Sequence, residues 1–406
     1  DDAAPPVLAD PETFYKYEPI RKALERSIAA LKEMKAPSDN TVVYVNTTER
    51  GVKIVNVAPI NMGSLIGGKL RSLNSLIVTS ATIAIGSNPE HAFDDIKRQL
   101  GLDYIGPALP TAPAVPGAPA VPQAPVTLYK PIRELILGTP FDFNTQALLY
   151  VPKHTLMPVS QTGLEAERNT YVDSIVRECK NLIKASNGNA FVLFTSSEDL
   201  KVVHAKLLEE GLDQELITQS DDAESAFKLF MKTPQSVLLG LKSFWEGVDV
   251  VGDKLRLVII VKLPFPMVSD PVLKARERVL ITQLVARGMS ESTAKGSVFS
   301  TIQIPMMVTD LRQGAGRLIR SRTDKGVLAI LDPRVWTGSG KTYDSHGWTA
   351  QDNLETAIRA GLIPCGYISV TASQTGSYHI AMGKSAVTQE IWNKLALVFV
   401  DVELQG

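Results

Sequence analysis

Five short, uninterrupted apolar runs recur between about Thr139 and Tyr343: "AFVLFT" from Ala190, "ELIT" from Glu215, "SVLLGL" from Ser236, "LRLVIIV" from Leu255 and "GVLAIL" from Gly326. A strand with one wet face alternates apolar and polar residues, so runs apolar at every position belong to strands buried on both faces. Stretches with helical periodicity separate the first runs, and this spacing predicts helices over Leu164–Lys184, Asp199–Glu210 and Asp222–Met231. Strands that alternate with helices of this length pair in parallel, because each crossover helix returns the chain to the same edge. The expectation is a doubly wound α/β domain with a parallel sheet covered on both sides.

The flanking segments differ. Ile20, Leu24, Ile28, Leu31 and Met34 recur at helical steps between charged residues, the pattern of an amphipathic helix. "TVVYVN" and "GVKIVNV", joined by "TTER", suit a hairpin, and after a helical stretch "NSLIVTSATI" reads as an apolar strand. Residues 109–126, "LPTAPAVPGAPAVPQAPV", carry Pro-Ala-Val-Pro twice; with so few backbone donors they read as an extended linker or surface loop. The domains expected are a helical segment over 1–37, a second region over 38–108, the Pro-rich linker, the α/β domain over 127–345, and a small mixed appendage over 346–406 without a legible role.

Composition removes some function classes. Lys and Arg total 42 against 43 Asp and Glu, so no global charge draws the chain to nucleic acid, and any such surface has to be local. Cys179 and Cys365 are the only cysteines, too few for a disulfide framework or a four-cysteine metal or iron–sulfur site, and a reducing cytoplasmic setting follows. Cys179 shares a helical face with Ile175, Leu182 and Ile183, which makes it a core residue and not a nucleophile. The five histidines show no ligand spacing, no apolar run has the roughly 20 residues of a membrane span, and the N-terminus lacks the pattern of a signal peptide.

"TGSGKT", Thr337–Thr342, imitates a phosphate loop. The pattern G-x-x-x-x-G-K-[ST] needs its first glycine for the tight turn that aims N–H groups at phosphate, and that position holds Val335. The "MGKSAV" stretch fails in the same way at Tyr378. No Asp-Glu pair follows an apolar strand to hold magnesium, so the chain contains no complete nucleotide site.

The chemistry sits in two other stretches, "SFWEGVDVVGDKLRLVIIVKLPFP" from Ser243 and "LRQGAGRLIRS" from Leu311. If the second is helical, Arg317 and Arg320 lie three apart on one side with Gln313 a turn back, a pair able to grip one polyanion. Gly314 and Gly316 would thin the surface there and admit a facing domain or ligand. Phe244 and Trp245, beside an apolar strand, are expected in the core more than stacked on bases.

These two stretches resemble motifs V and VI of superfamily 2 helicases of the DinG and XPD type. In the same order, "VTSATI" at Val78–Ile83 resembles motif III, "FVLFTSSEDL" at Phe191–Leu200 motif IV, and "GTPFDF" at Gly138–Phe143 the opening of the second motor domain; "FWEGVDV" and "GRLIRS" are worded as in DinG. The resemblance implies a RecA-like P-loop NTPase-type helicase domain with part of a first motor domain, working with ATP and Mg2+ on single-stranded or forked DNA, usually 5′ to 3′; DNA-damage or R-loop unwinding and a DinG-like helicase of a plasmid-borne CRISPR system both stay open as its role. It implies Arg317 and Arg320 as arginine fingers with Gln313 nearby, Glu246, Gly247, Asp249 and Gly316 along the nucleotide cleft, Thr195, Ser196 and Ser243 on the DNA backbone, and Thr79, Ser80, Ala81 and Thr82 as the coupling segment. In the family, Walker A, Walker B and the cluster cysteines precede motif III, and they are not found there in this chain. The chain is therefore expected to be the C-terminal half of a helicase, with the Ile20–Met34 helix the tail of the arch domain, inactive alone and dependent on its own N-terminal half or a complementing chain. A non-catalytic, helicase-derived nucleic-acid-binding or scaffold protein is the alternative.

Overall fold

The computed structural model describes residues 11–48, 50–80, 83–84, 92–102, 132–137, 140–152, 155–156, 158–159, 163–219, 222–245, 248–250, 252–335, 366–372 and 378–382. In chain order these form α1 (Pro11–Lys35), β1 (Thr41–Thr47), β2 (Lys53–Pro59), α2 (Met62–Arg71), α3 (Asp94–Gln99), α4 (Phe143–Gln146), β3 (Ala147–Pro152), α5 (Glu165–Ser186), β4 (Ala190–Leu193), α6 (Ser197–Glu209), β5 (Leu216–Thr218), α7 (Ala223–Lys232), β6 (Val237–Gly240), β7 (Leu257–Ile260), α8 (Pro271–Ala286), α9 (Glu291–Val298), α10 (Ile304–Ala315), β8 (Gly326–Ile330), β9 (Gly366–Ala372) and β10 (Tyr378–Met382). The Pro-rich stretch and "TGSGKT" lie outside the described residues. The chain divides into two units, one of residues 1–76, 97–107 and 267–288, the other of the remainder.

In the larger unit the sheet runs β10-β9-β3-β8-β7-β4-β6-β5. The six strands from β3 to β5 pair in parallel, as the apolar runs predict; β9 adds to β3 in parallel and β10 closes the edge antiparallel. The C-terminal "YISVTAS" and "SYHIAMG" stretches thus extend the same sheet.

Side chains alternate between two cores. Phe191, Leu193, Leu238, Val258, Ile260, Leu328 and Ile330 face one side, where α7 brings Phe230 and α10 brings Met307, Val308 and Leu311. Ala190, Val192, Val237, Leu239, Leu257, Ile259 and Ala329 face the other, covered by Ile175, Cys179 and Ile183 of α5 and Val203 and Leu207 of α6. This is the doubly wound arrangement, and truncating any of its buried Leu, Ile or Phe side chains to Ala costs about 2–5 kcal/mol. The predicted helices hold to within two residues because their ends carry local signals. Ser196 caps α6 by accepting from the Asp199 N–H, Asp222 caps α7, and Asn187 ends α5 in the left-handed region at φ 55°.

The smaller unit holds α1, the β1–β2 hairpin, α2 and α8. The hairpin is antiparallel with Thr41 opposite Pro59 and Thr47 opposite Lys53, as expected. Segment 267–288 joins this unit through Arg276 of α8, whose Nε donates to the Ile60 carbonyl at 2.8 Å.

One expected strand is not formed. Residues 75–80 of "NSLIVTSATI" belong to no strand, and Ile77 is 89% exposed. An apolar run becomes a strand only where a neighbour satisfies its backbone, and β1 and β2, the described strands before it in sequence, pair with each other.

Candidate functional site

Parallel strands place every strand-to-helix turn at one edge of the sheet and every helix-to-strand turn at the other. The expected site residues from Thr195 onward divide between these edges, and all of the expected site residues fall within the larger unit.

At the carboxyl edge stand Thr195 and Ser196 after β4, Gln219 after β5, and Lys242 and Ser243 after β6. Thr195 and Ser243 are exposed. Ser196 is partly spent as the α6 cap, its Oγ 3.3 Å from the Asp199 N. The Ser243 hydroxyl donates to Gln219 Oε1 at 2.8 Å, so here it presents acceptor lone pairs outward, where a donor was expected. Gln219 Oε1 also accepts from the Leu241 N–H at 3.4 Å, and Lys242 pairs with Asp310 at 2.9 Å. Behind this row Lys262, just past β7, pairs with the buried Asp199 at 2.6 Å, and the Asp332 carboxylate accepts the Leu263 N–H at 2.9 Å.

At the amino edge lies the turn between α10 and β8. The expectation that Arg317 and Arg320 share a helix face fails, because α10 ends at Ala315 with Gly316 as its cap. The two arginines meet by another route. Arg317 Nε donates to the Trp245 carbonyl at 3.0 Å and Nη1 to the Val248 carbonyl, while Arg320 Nε stands 3.4 Å from Asp249 Oδ1. Both therefore converge on segment 245–249, which brings "FWEGVDV" and "GRLIRS" into one site. Arg320 and Asp249 are exposed, and Glu246 and Gly247 lie outside the described residues.

Of the two glycines, Gly316 is exposed while Gly314 serves packing where access was expected. A Cβ at Gly314 would meet Trp245 Cε3 at 2.8 Å, so the missing side chain makes room for an indole and not for a ligand. Trp245 is 2% exposed and Phe244 wholly buried, so both belong to the core, as expected. Gln313 Oε1 and Trp245 Nε1 are buried atoms without a hydrogen-bond partner among the described residues.

Thr79 and Ser80 are exposed, and Ala81 and Thr82 lie outside the described residues. Just past them, the Ala84 carbonyl accepts from Arg312 of α10, a guanidinium whose pKa is lowered by burial. Among the described residues no cluster of His, Cys, Asp or Glu is able to hold a metal ion, and no helix is long and apolar enough to cross a membrane. Burial pushes the Cys179 thiol far up, which keeps it protonated and inert.

Three residues escaped the sequence reading. Gln219 and Arg312 act through hydrogen bonds to other segments, which no periodicity encodes, and Asp324 joins its own turn to Gly252, 72 positions earlier. Only Asp324 had a local cue, a Ser-Arg-Thr-Asp-Lys-Gly turn before a strand.

A six-stranded parallel core wrapped on both faces, with two arginines brought onto the loop after a central strand, is a doubly wound, RecA-like α/β arrangement. Known proteins agree: a family profile described as a helicase C-terminal domain matches residues 179–349. An ATP-dependent helicase DinG of Mycobacterium tuberculosis is 30% identical over 74% of this chain and 39% of its own length. An ATP-dependent DNA helicase YoaA of Haemophilus influenzae is 32% identical over 71% of this chain and 38% of its own length. A Bacillus subtilis protein named 3′-5′ exonuclease DinG is 28% identical over 81% of this chain and 32% of its own length. The chain is thus similar to ATP-dependent helicases of the DinG type over most of its length, and residues 179–349 match a helicase C-terminal domain. It spans less than two fifths of the length of each of these relatives.

Proposed function

We propose that this chain supplies the second motor domain of a DinG-type, ATP-dependent DNA helicase moving 5′ to 3′ on single-stranded DNA. The observation that carries the reading is the convergence of Arg317 and Arg320 on segment 245–249. Arg320, exposed beside Asp249, offers its guanidinium to the terminal phosphate of ATP, where positive charge stabilises the transferring phosphoryl group. Arg317 braces the loop by donating to two of its carbonyls, and Glu246, Gly247, Asp249, Gln313 and Gly316 complete the cleft wall. Thr195, Ser196 and Ser243, on the opposite edge, meet the DNA backbone, Ser243 by turning its hydroxyl from Gln219 to a phosphate oxygen, and residues 79–82 with Arg312 couple the two events. Magnesium and the Walker residues that hold it come from the N-terminal half of the helicase or a complementing chain.

The test is an ATPase assay with single-stranded DNA on this polypeptide and on the native protein from its source. The expected outcome is no turnover by the 406-residue polypeptide alone and DNA-stimulated turnover by the native form, reduced on the order of 10³-fold by Arg320→Ala. Turnover by this polypeptide that disappears in Arg317→Ala would refute the dependence on a second half. Salt-sensitive DNA binding that ignores ATP, in a native protein without turnover, would favour the scaffold reading.

A further inference from the structure

Asp324 lies outside both arginine-bearing stretches, yet it is the most heavily bonded carboxylate of the amino edge. It is 4% exposed. Its Oδ2 accepts the backbone N–H groups of Arg320 and Ser321, each at 2.7 Å, and its Oδ1 accepts the Ser321 hydroxyl at 2.6 Å and the Gly252 N–H at 3.0 Å. The carbonyls of Ser321 and Asp324 are held in turn by Gln146 Nε2, at 2.9 and 2.8 Å. Four donors on one buried carboxylate make a rigid clamp, since charge-assisted hydrogen bonds are short and an unmade one is costly in the interior.

The clamp joins two pieces of chain. Arg320 and Ser321 belong to the turn after α10; Gly252 lies three residues beyond Asp249, the acid against which Arg320 Nε rests. Residues 316–325 lie outside any helix or strand ladder, so regular secondary structure does not fix the backbone that carries Arg320. An arginine that stabilises developing charge has to be set in place before the reaction, because its long side chain otherwise samples many rotamers. Both Asp324 oxygens already face protein donors in a buried setting, which argues against a role as a phosphate or metal ligand.

We infer that Asp324 is a positioning residue for Arg320, fixing the arginine's backbone and the segment following Asp249 in one frame so that the guanidinium is presented to phosphate. This rests on the reading of Arg320 as a phosphate-contacting group. The experiment is a double-mutant cycle in the native protein, reading kcat and KM for ATP with single-stranded DNA for Arg320→Ala, Asp324→Asn and the double variant. Misplacing a catalytic group by about 1 Å costs on the order of 10²-fold in rate. Asp324→Asn is therefore expected to lower kcat by roughly 10- to 100-fold while KM for ATP stays within about threefold. The double variant should be no slower than Arg320→Ala alone, because residues acting through one another are not additive. An unchanged kcat in Asp324→Asn, or a double variant slowed by the product of the two single effects, overturns the inference. If Arg320→Ala itself leaves kcat unchanged, or the native protein has no ATPase activity, the reading beneath it fails instead. Urea unfolding of each variant checks folding; should Asp324→Asn not fold, Ser321→Ala, which removes one donor to the carboxylate, takes its place in the same cycle with a smaller loss of kcat expected.

Discussion

Gly314→Ala sets two effects of opposite sign against each other. Gly314 lies in the last turn of α10, where alanine gains up to about 1 kcal/mol through helix propensity. Against this, the new methyl would sit 2.8 Å from Trp245 Cε3, 3.1 Å from Cζ3 and 3.4 Å from Leu193 Cδ1, where carbon atoms rest comfortably at about 3.5–4.0 Å. Neither neighbour has room to give, since Trp245 is 2% and Leu193 1% exposed. Overpacking of this kind costs about 1–3 kcal/mol, so a net loss of about 1 kcal/mol is expected, with the indole displaced. That displacement would carry the Trp245 carbonyl away from Arg317. The assay is urea unfolding followed by far-ultraviolet circular dichroism, with the near-ultraviolet spectrum reporting the indole. Gly68→Ala in α2 is the control: a Cβ there meets nothing within 4 Å, and that variant should gain about 0.5–1 kcal/mol. If Gly314→Ala is stabilised as much as Gly68→Ala, the indole does not rest on the glycine and the reasoning is wrong.

Two further expectations concern the clamp and the carboxyl edge. Burial raises the Asp324 pKa, but the donors from Ser321, Arg320 and Gly252 outweigh it and hold the carboxyl below the usual range. Its contribution to stability is therefore fully present above the unfolded-state value of about 3.9 and is lost as pH falls through the folded value. The stability gap between wild type and Asp324→Asn should be level from neutral pH down to about pH 4 and narrow below it; a gap that widens on acidification would contradict the clamp. Gln219→Ala removes the acceptor that takes the Ser243 proton, a bond worth about 1 kcal/mol, and by freeing that proton for phosphate should tighten binding of a labelled oligothymidine about fivefold in fluorescence anisotropy at fixed salt. Weaker binding would mean that Gln219 holds the Ser243 turn in place for DNA.

Legibility followed the range of the interactions. The runs at Phe191, Leu238 and Ile259 announced a parallel sheet because burial on both faces leaves its mark residue by residue, and the caps at Ser196 and Asp222 are local too. The "NSLIVTSATI" run misled as a strand at residues 75–80 because apolar composition does not name a ladder partner. Arg317 and Arg320 were found as residues but placed by the wrong geometry: Gly316 ends the helix before them, and what joins them is hydrogen bonding to residues about 70 positions earlier. Gln219 stayed hidden because its partners lie on another turn, and Asp324 because its bond to Gly252 leaves no local mark.

The segment between β6 and β7 gives these contacts a common purpose under the proposed function. It leaves the carboxyl edge after Gly240 and reaches the amino edge before Leu257, so it links the row facing DNA to the turn facing phosphate. Gln219 and Asp310 hold its start through Ser243 and Lys242, Arg317 holds its middle at the Trp245 and Val248 carbonyls, and Arg320 and Asp324 hold its end at Asp249 and Gly252. A shift of the Ser243 turn on DNA would thus move acceptors of the same arginines that serve the nucleotide. Coupling of this kind depends on the segment moving as one piece, and Trp245, packed against Gly314, ties its start to α10. It follows that Gly314→Ala should reduce the stimulation of ATPase by single-stranded DNA in the native protein more than it reduces turnover without DNA. Equal losses in the two would locate the coupling elsewhere, in the contact between Arg312 and Ala84.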